Sequence, residues 1–449
     1  MSENSNFNRR QFIGAIAATG ALAMACKGSG KAVDYKLTTL KDKAPDGQEI
    51  RAGVIGCGGR GSGAVMDYLN AGTNLKVVAL ADVFADRIAS LKTRLKKDKD
   101  IDIPEENCFV GLDAYQKLLE IKEINYVIIA TPPYFRPYQF EAAVNARKHV
   151  FMEKPVCVDP VGARSVMASS KKAQSLGLSV VTGTQRRHQH HYVALYKKIM
   201  AGAIGDLTSA NIYWNGGQLW YRTRQEGWSD LEWMIRDWVN WTWLSGDHIV
   251  EQHVHNIDVA HWFFGKQPVK ALGFGSRQRR VTGDQFDNFS VDFVFDDGRH
   301  MHSTCRQING CTNSVSEYFT GTNGFSNSSS NHSEKETYLL DKSGKKIWTY
   351  ADAVKSGDYP TEPISPYVQE HVDLVSAIRT GNQIVEAENT AISTLTAIMG
   401  RISAYTGKEV TWDEMLNSDL RVGPKPEELE FGQKYVMVEK PEIPVVGQA

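Results

Sequence analysis

The sequence predicts an α/β protein: a doubly wound parallel sheet followed by an α+β region built on a mostly antiparallel sheet. Three observations predict it. A glycine-rich turn, Gly56-Cys57-Gly58-Gly59-Arg60-Gly61, joins an apolar, β-branched run to a segment of helical period. Short apolar runs then alternate with helical segments as far as Thr182. Beyond residue 190 the runs show partial period-two alternation with few helices between them.

Taken in order, residues 51–55 form the first strand and 75–81 the second, which ends on Asp82. Residues 85–97 have helical spacing, and 108–110 read as a short strand. Asp113 is expected to cap a helix through Leu119 by accepting from its free N–H groups. Residues 126–130, 149–152 and 178–182 read as buried strands, with helices over 138–147 and 161–176 between them. Strands are expected next at 207–214, 269–274, 289–295 and 300–305, with Asp296-Asp297-Gly298 as a hairpin turn. Residues 323–333 read as a polar Asn/Ser loop, 360–366 as a proline break, and 367–379 and 388–405 as helices.

The chain has 449 residues, enough for two or three domains. A formal net charge of −1 excludes a bulk positive field for nucleic acid. At the N-terminus, Asn8-Arg9-Arg10-Gln11-Phe12-Ile13 resembles a twin-arginine export signal, followed by an apolar stretch at 12–25 too short to span a membrane. Cys26 follows Ala23-Met24-Ala25, and Leu22 sits one place outside the usual lipobox leucine. Lipid attachment at Cys26 and plain cleavage nearby stay open as readings. Either implies an exported, periplasmic protein whose one membrane link would be a lipid anchor at Cys26.

The expected organisation is a signal at 1–26, a polar linker at 27–49, a nucleotide domain at 50–185, a second domain at 186–423 and a tail at 424–449. The remaining cysteines, Cys57, Cys108, Cys157, Cys305 and Cys311, are scattered and odd in number, which points to buried free thiols. A pairing of Cys305 with Cys311 is the alternative.

The glycine turn carries the first chemistry. Gly56 permits a tight turn, Gly58 lets the backbone approach a pyrophosphate, and Gly61 lets the helix pack on the strand. Gly59 and Arg60 sit at the helix N-terminus, whose free N–H groups suit phosphate. Asp82 follows at the spacing of the acid that holds ribose hydroxyls, which favours NAD, while Arg60 and Arg87 leave NADP open. Thr131, Pro132, Glu153, Lys154 and Gln185 fall at carboxyl ends of strands, where such sheets bind ligands.

Lys154, in Glu153-Lys154-Pro155, is placed to polarise a hydroxyl beside a nicotinamide. If residues 245–258 form one helix, Glu251, His255 and Asp258 share a face, and a carboxylate beside the imidazole raises its basicity for general-base work. Glu251, His253 and His255 as metal ligands would need a strand, so no metal site is expected. A structural histidine cluster is the other reading. Arg187 and His188 follow a strand and could contact substrate. Most of the ten tryptophans lie between Trp214 and Trp262, and Trp220, Tyr221 and Trp243 are candidates for stacking on a sugar ring or for packing.

The glycine fingerprint, the Glu153-Lys154-Pro155 motif and the 246–258 segment together resemble the glucose–fructose oxidoreductase / inositol dehydrogenase (Gfo/Idh/MocA) family over about residues 50–410. The resemblance implies a Rossmann domain followed by an α+β domain on a large open antiparallel sheet. Lys154 matches the family's lysine, Glu251 falls on its aspartate and His255 on its histidine. Three departures stand out: Glu for Asp at 251, His253 for the usual glycine, and Thr131-Pro132-Pro133-Tyr134-Phe135-Arg136 where the family reads T-P-N-x-x-H.

The implied activity is an exported NAD(P)-dependent oxidoreductase, with tightly held cofactor, acting on a secondary hydroxyl of a sugar or glycoside. An NAD-dependent glycosidase and a non-catalytic binding protein are the alternatives. The expected partners are a small carbohydrate and a second copy of the chain, through the exposed face of the second sheet.

Overall fold

The computed structural model describes residues 37, 40–329 and 336–447. The export signal, Cys26 and most of the linker lie outside the described residues.

Six strands build the first sheet: β1 (Ile50–Ile55), β2 (Leu75–Asp82), β3 (Cys108–Val110), β4 (Tyr126–Ile129), β5 (His149–Met152) and β6 (Val180–Thr182). All pair in parallel, in the order β3-β2-β1-β4-β5-β6. Helices α1 (Gly59–Asn70), α2 (Ala85–Lys99), α3 (Ala114–Leu119), α4 (Arg136–Asn145) and α5 (Pro160–Ser175) cover its faces. Both faces are therefore buried, which is why these strands read as continuous apolar runs. In β4, Val127 and Ile129 enter one core cluster while Tyr126 and Ile128 enter the other. Strand order reverses between β1 and β4, so a ligand crevice opens at their carboxyl ends.

Asp113 precedes α3, but its side chain makes no cap; it pairs instead with Lys117 one turn on, at 3.0 Å. Its helical φ and ψ already start the turn, which leaves no extended residue from which a carboxylate could reach back.

The second sheet has nine strands in the order β14-β13-β12-β11-β7-β10-β9-β8-β15. They are β7 (Leu207–Gly216), β8 (Lys270–Ser276), β9 (Asn288–Val294), β10 (His300–Gln307), β11 (Ser314–Gly321), β12 (Gly324–Ser329), β13 (Tyr338–Asp341), β14 (Lys346–Thr349) and β15 (Val410–Thr411). Only β7 with β10 is parallel. The hairpin at Asp296-Asp297-Gly298 closes β9 on β10, with Gly298 at φ +78° and Phe295 N–H donating to Arg299.

The expected loop at 323–333 is instead largely β12. Its inward positions are serines, not apolar residues: Ser328 donates to Glu317 Oε2 at 3.0 Å, and Ser326 accepts from Phe319 N–H at 3.1 Å. Satisfied polar groups took the place of the apolar alternation that the sequence test looks for.

More helices also intervene than expected: α6 (His190–Met200), α7 (Asp230–Arg236), α8 (His248–Glu251) and α9 (Val254–Phe264) precede β8. Helices α10 (Pro366–Thr380) and α11 (Ala387–Thr406) follow the second sheet's hairpins. Helix α11 is buried along nearly its whole length, against β8 and β9 on one side and α5 on the other. The opposite face of the sheet exposes Leu272, Phe274 and Tyr318. Among the described residues the five cysteines are free thiols; Cys57, Cys157 and Cys305 are buried, Cys108 is half-buried and Cys311 is exposed, so Cys305 and Cys311 do not pair. The described residues contain no helix long and apolar enough to cross a membrane.

Candidate active site

The crevice at the β1/β4 switch point has a volume of about 420 Å³. Its floor includes Gly56, Gly58, Gly59, Arg60, Asp82, Arg87, Thr131 and Pro132. The glycines divide the work as their positions suggest. Gly56 has φ +93°, and a Cβ there would meet the Ala130 carbonyl carbon at 2.8 Å. A Cβ on Gly61 would lie 1.8 Å from Gly56 O, so α1 packs directly on the turn. A Cβ on Gly58 would meet nothing within 4 Å, which leaves open space where a pyrophosphate would approach α1. Asp82 is fixed by two backbone donors, Cys57 N–H at 2.7 Å and Phe84 N–H at 2.9 Å. Each of its oxygens keeps a lone pair for a ribose hydroxyl. These residues fit a dinucleotide.

Arg60 lines the crevice and is held there by two carboxylates, donating to Glu153 Oε1 at 2.5 Å and pairing with Asp67 at 3.2 Å. Burial pushes the Glu153 carboxyl up, but Arg60, Arg136 and Lys154 outweigh it and hold it below the usual range. Arg87, 3.9 Å from Asp86, lines the same crevice beside Asp82.

The second domain supplies a roof that the sequence did not announce. Ile235, Arg236 and Trp238 line the crevice with Trp220 and Arg222. Arg236 lies 3.8 Å over the Phe84 ring and pairs with Asp86 at 2.9 Å, which ties the roof to the floor. Behind the roof, Leu429 and Tyr435 of the tail pack with Leu231, Met234, Ile235, Trp241 and Trp243. Tyr435 N–H donates to Asp230 at 2.9 Å, and the Tyr134 hydroxyl donates to Pro424 O.

Lys154 follows β5 beyond the crevice. Its ammonium donates to the backbone carbonyl of Glu251 at 2.6 Å and to Glu251 Oε1 at 3.2 Å, with both side chains about nine-tenths buried. Arg136, in the position of the family's histidine, braces this turn. It donates to Thr131 O at 2.8 Å, Glu153 O at 3.0 Å and Pro155 O at 2.6 Å. Burial lowers its pKa to about 10, which leaves it charged. The sequence flagged Arg136 only as a departure; three backbone acceptors at the ends of two neighbouring strands carry no sequence signal.

The expected partnership of Glu251 with His255 is not formed. Residues 245–258 do not make one helix: α8 ends at Glu251, and α9 begins at Val254 after Gln252 and His253. Glu251 is taken by Lys154 and Gln252. His255 stacks on Trp214, with ring centroids 5.5 Å apart and an 18° interplanar angle, and its Nδ1 has no hydrogen-bond partner. Burial first, then the charges of Lys154, Arg186 and Arg60, push its pKa well below the ordinary value, the reverse of the expected rise. These effects favour the uncharged imidazole, whose Nδ1 is left without a partner.

Arg187, His188 and Asp258 are buried and held in ion pairs. Arg186-Arg187-His188 is a hub of buried ion pairs joining the two sheets. Arg186 reaches Glu317 on β11 at 2.5 Å, Arg187 grips Asp258 on α9 with two bonds of 2.8 Å, and His188 sits between Asp373 at 2.6 Å and Glu386 at 3.1 Å. Trp243 is likewise core, edge-on to Tyr134 at 5.0 Å. Trp220 and Tyr221 are exposed, and Trp220 faces the nucleotide crevice.

Comparison with known proteins agrees with this fold. Among curated proteins, the chain is 27% identical over 224 residues to a glycosyl hydrolase family 109 protein of Streptomyces coelicolor, covering 47% of this chain and 45% of that protein. It is 27% identical over 220 residues to an inositol 2-dehydrogenase of Salmonella typhimurium, covering 48% and 55%. The chain thus spans about half the length of these curated relatives. An aldose-aldose oxidoreductase from Caulobacter crescentus shares the fold at TM-score 0.63 and 16% identity, over 81% of this chain and 99% of that one. Residues 50–182 match the family model described as "Oxidoreductase family, NAD-binding Rossmann fold" and residues 192–325 the "GFO/IDH/MocA C-terminal domain". With both halves matched in order, the chain belongs to the Gfo/Idh/MocA oxidoreductase family.

Proposed function

We propose that this protein is an NAD-dependent oxidoreductase acting on a secondary hydroxyl of a sugar or cyclic polyol. The observation that carries the reading is the buried Lys154–Glu251 pair just past the carboxyl end of β5 in a dinucleotide-binding sheet, with a buried His255 whose Nδ1 has no hydrogen-bond partner. NAD, when bound on the glycine turn and Asp82, supplies the hydride acceptor. The Lys154 ammonium donates to the substrate oxygen and favours the developing carbonyl. His255 takes the hydroxyl proton, and Glu251 orients Lys154. Such proton handling contributes about 10²–10⁴-fold. Similarity to an inositol 2-dehydrogenase supports the substrate class.

We also propose that the cofactor stays bound through turnover. The roof of Trp220, Arg222, Ile235, Arg236 and Trp238, backed by the tail, encloses the crevice from the second domain. Export by the Arg9-Arg10 signal fits a cofactor loaded before transport, and the apolar open face of the second sheet fits assembly with another copy.

A second reading has its own support in the similarity to a glycosyl hydrolase family 109 protein. Oxidation of a ring hydroxyl acidifies the neighbouring C–H; elimination expels the aglycone, water adds, and the ketone is reduced again, with no net redox change. The test is mass spectrometry of the purified protein for bound NAD, then a panel of inositols, sugars and glycosides followed by cofactor absorbance and by released sugar. A keto product marks the oxidoreductase, and free aglycone without net NADH marks the glycosidase. Absence of NAD and of any turnover would leave the scaffold a binding protein.

A further inference from the structure

Gly246 and Asp247 both have positive φ, +85° and +71°, and Asp247 has ψ 163°. Glycine suits such angles; for a residue with a side chain they are strained and persist only where the surroundings hold them. Here the surroundings do. The Asp247 carboxylate is fully buried, and both oxygens are taken: Oδ1 accepts from His248 N–H at 2.5 Å, and Oδ2 from Phe286 N–H at 3.0 Å and the Tyr405 hydroxyl at 2.5 Å. Arg401 holds the Gly246 carbonyl at 2.8 Å.

The other side of Asp247 leads to the site. Its backbone carbonyl accepts from Val250 N–H at 3.0 Å and from Glu251 N–H at 2.8 Å, so it starts α8. The same Glu251 meets Lys154 through its own carbonyl and its carboxylate. An unbroken line of bonds therefore runs from β9's approach (Phe286) and α11 (Tyr405), through Asp247, to Glu251 and Lys154.

Resting on the functional reading of Lys154, we propose that Asp247 is a positioning residue: its anchored, strained backbone sets where α8 begins and thereby holds Glu251 against the Lys154 ammonium. It touches no reacting atom and acts only through Glu251.

Three variants test this. Asp247→Gly accepts the φ but removes the anchors. Tyr405→Phe removes one donor and leaves the backbone alone. Asp247→Asn keeps the shape but turns an N–H toward a donor. Each is assayed for melting temperature and retained NAD, for the rate at which an amine-reactive reagent labels Lys154 (read by peptide mass spectrometry), and for kcat and KM on the best polyol of the panel.

Positioning predicts a folded, NAD-loaded Asp247→Gly chain whose Lys154 is labelled at least about threefold faster, with kcat down at least about tenfold and KM nearly unchanged. Tyr405→Phe moves the same way by less, and Asp247→Asn falls between. A purely structural Asp247 would lower the melting temperature while labelling and kcat per folded chain stay at wild type, and that result overturns the proposal. Should Asp247→Gly fail to fold, Tyr405→Phe decides. The labelling arm needs no substrate, so faster labelling in a wild-type background that turns over no polyol would keep the positioning role and remove the functional reading instead.

Discussion

Lys154 holds Glu251 at two points, the backbone carbonyl at 2.6 Å and the carboxylate at 3.2 Å. A lysine at the edge of one sheet is thereby locked to the end of a helix in the other domain. The double contact fixes an ammonium that would otherwise sweep through many rotamers, and pre-organisation of this kind is what orientation contributes to rate.

Lys154→Met and Glu251→Gln should therefore differ. Lys154→Met removes the group proposed to meet the substrate oxygen, and kcat should fall about 10²–10⁴-fold with bound NAD unchanged. Glu251→Gln keeps an acceptor carbonyl and should cost about tenfold. Steady-state kinetics beside NAD quantified by mass spectrometry decide it; loss of NAD in either variant would show that the pair supports the cofactor instead.

The His255 imidazole is depressed by burial and by nearby cations, Lys154 foremost. Its proton-accepting form therefore persists well below pH 6.5, the usual midpoint of histidine. The acid limb of kcat/KM should lie on the acid side of that value, and His255→Ala should abolish turnover. An acid limb at or above the usual midpoint would contradict the neutral-base assignment.

His188 behaves oppositely. Burial works against its charge, but Glu386 and Asp373 prevail and raise it well above the ordinary value. A raised folded pKa means that this stabilisation is complete below the unfolded midpoint, and is lost as pH rises through the folded value. Stability to urea should accordingly fall on the alkaline side, and His188→Leu should flatten that fall. It should also cost about 3–5 kcal/mol near neutrality, because two carboxylates are left facing each other without their cation.

Gly58→Ala and Gly61→Ala make a matched pair. The first adds a methyl to open space and should change the stability of the nucleotide-free chain by less than about 1 kcal/mol while weakening NAD binding. The second drives a methyl to 1.8 Å from Gly56 O and should lower the melting temperature itself. Thermal melts with and without NAD separate the two.

A chain ended at Gly423 loses Leu429 and Tyr435 from beneath the crevice roof. It should release NAD during gel filtration while retaining its fold. Undiminished NAD content in that truncation would show that the roof stands without the tail.

The nucleotide half was legible because its information is local. Gly56, Gly58, Gly61 and Asp82 act through backbone angles, close approach and a fixed spacing, all written in one short stretch. Lys154 was found because it ends a strand whose apolar run is unmistakable. The second domain was less so. Strand β12 hid behind inward serines satisfied by Glu317 and the backbone, and the helix expected at 245–258 broke because Asp247 and the Gln252-His253 link reset its phase.

By itself, the sequence determined the doubly wound sheet and the dinucleotide turn, since periodicity and glycine geometry depend only on neighbours along the chain; it also put forward Lys154, Glu251 and His255 as candidates. Only the tertiary structure decided which charge meets which. Glu251 went to Lys154 rather than His255, Arg60 to Glu153 and Asp67, and Arg187 to Asp258. A buried charge takes a partner within hydrogen-bond reach, and that partner comes from elements tens to hundreds of residues away, whose approach no local pattern records.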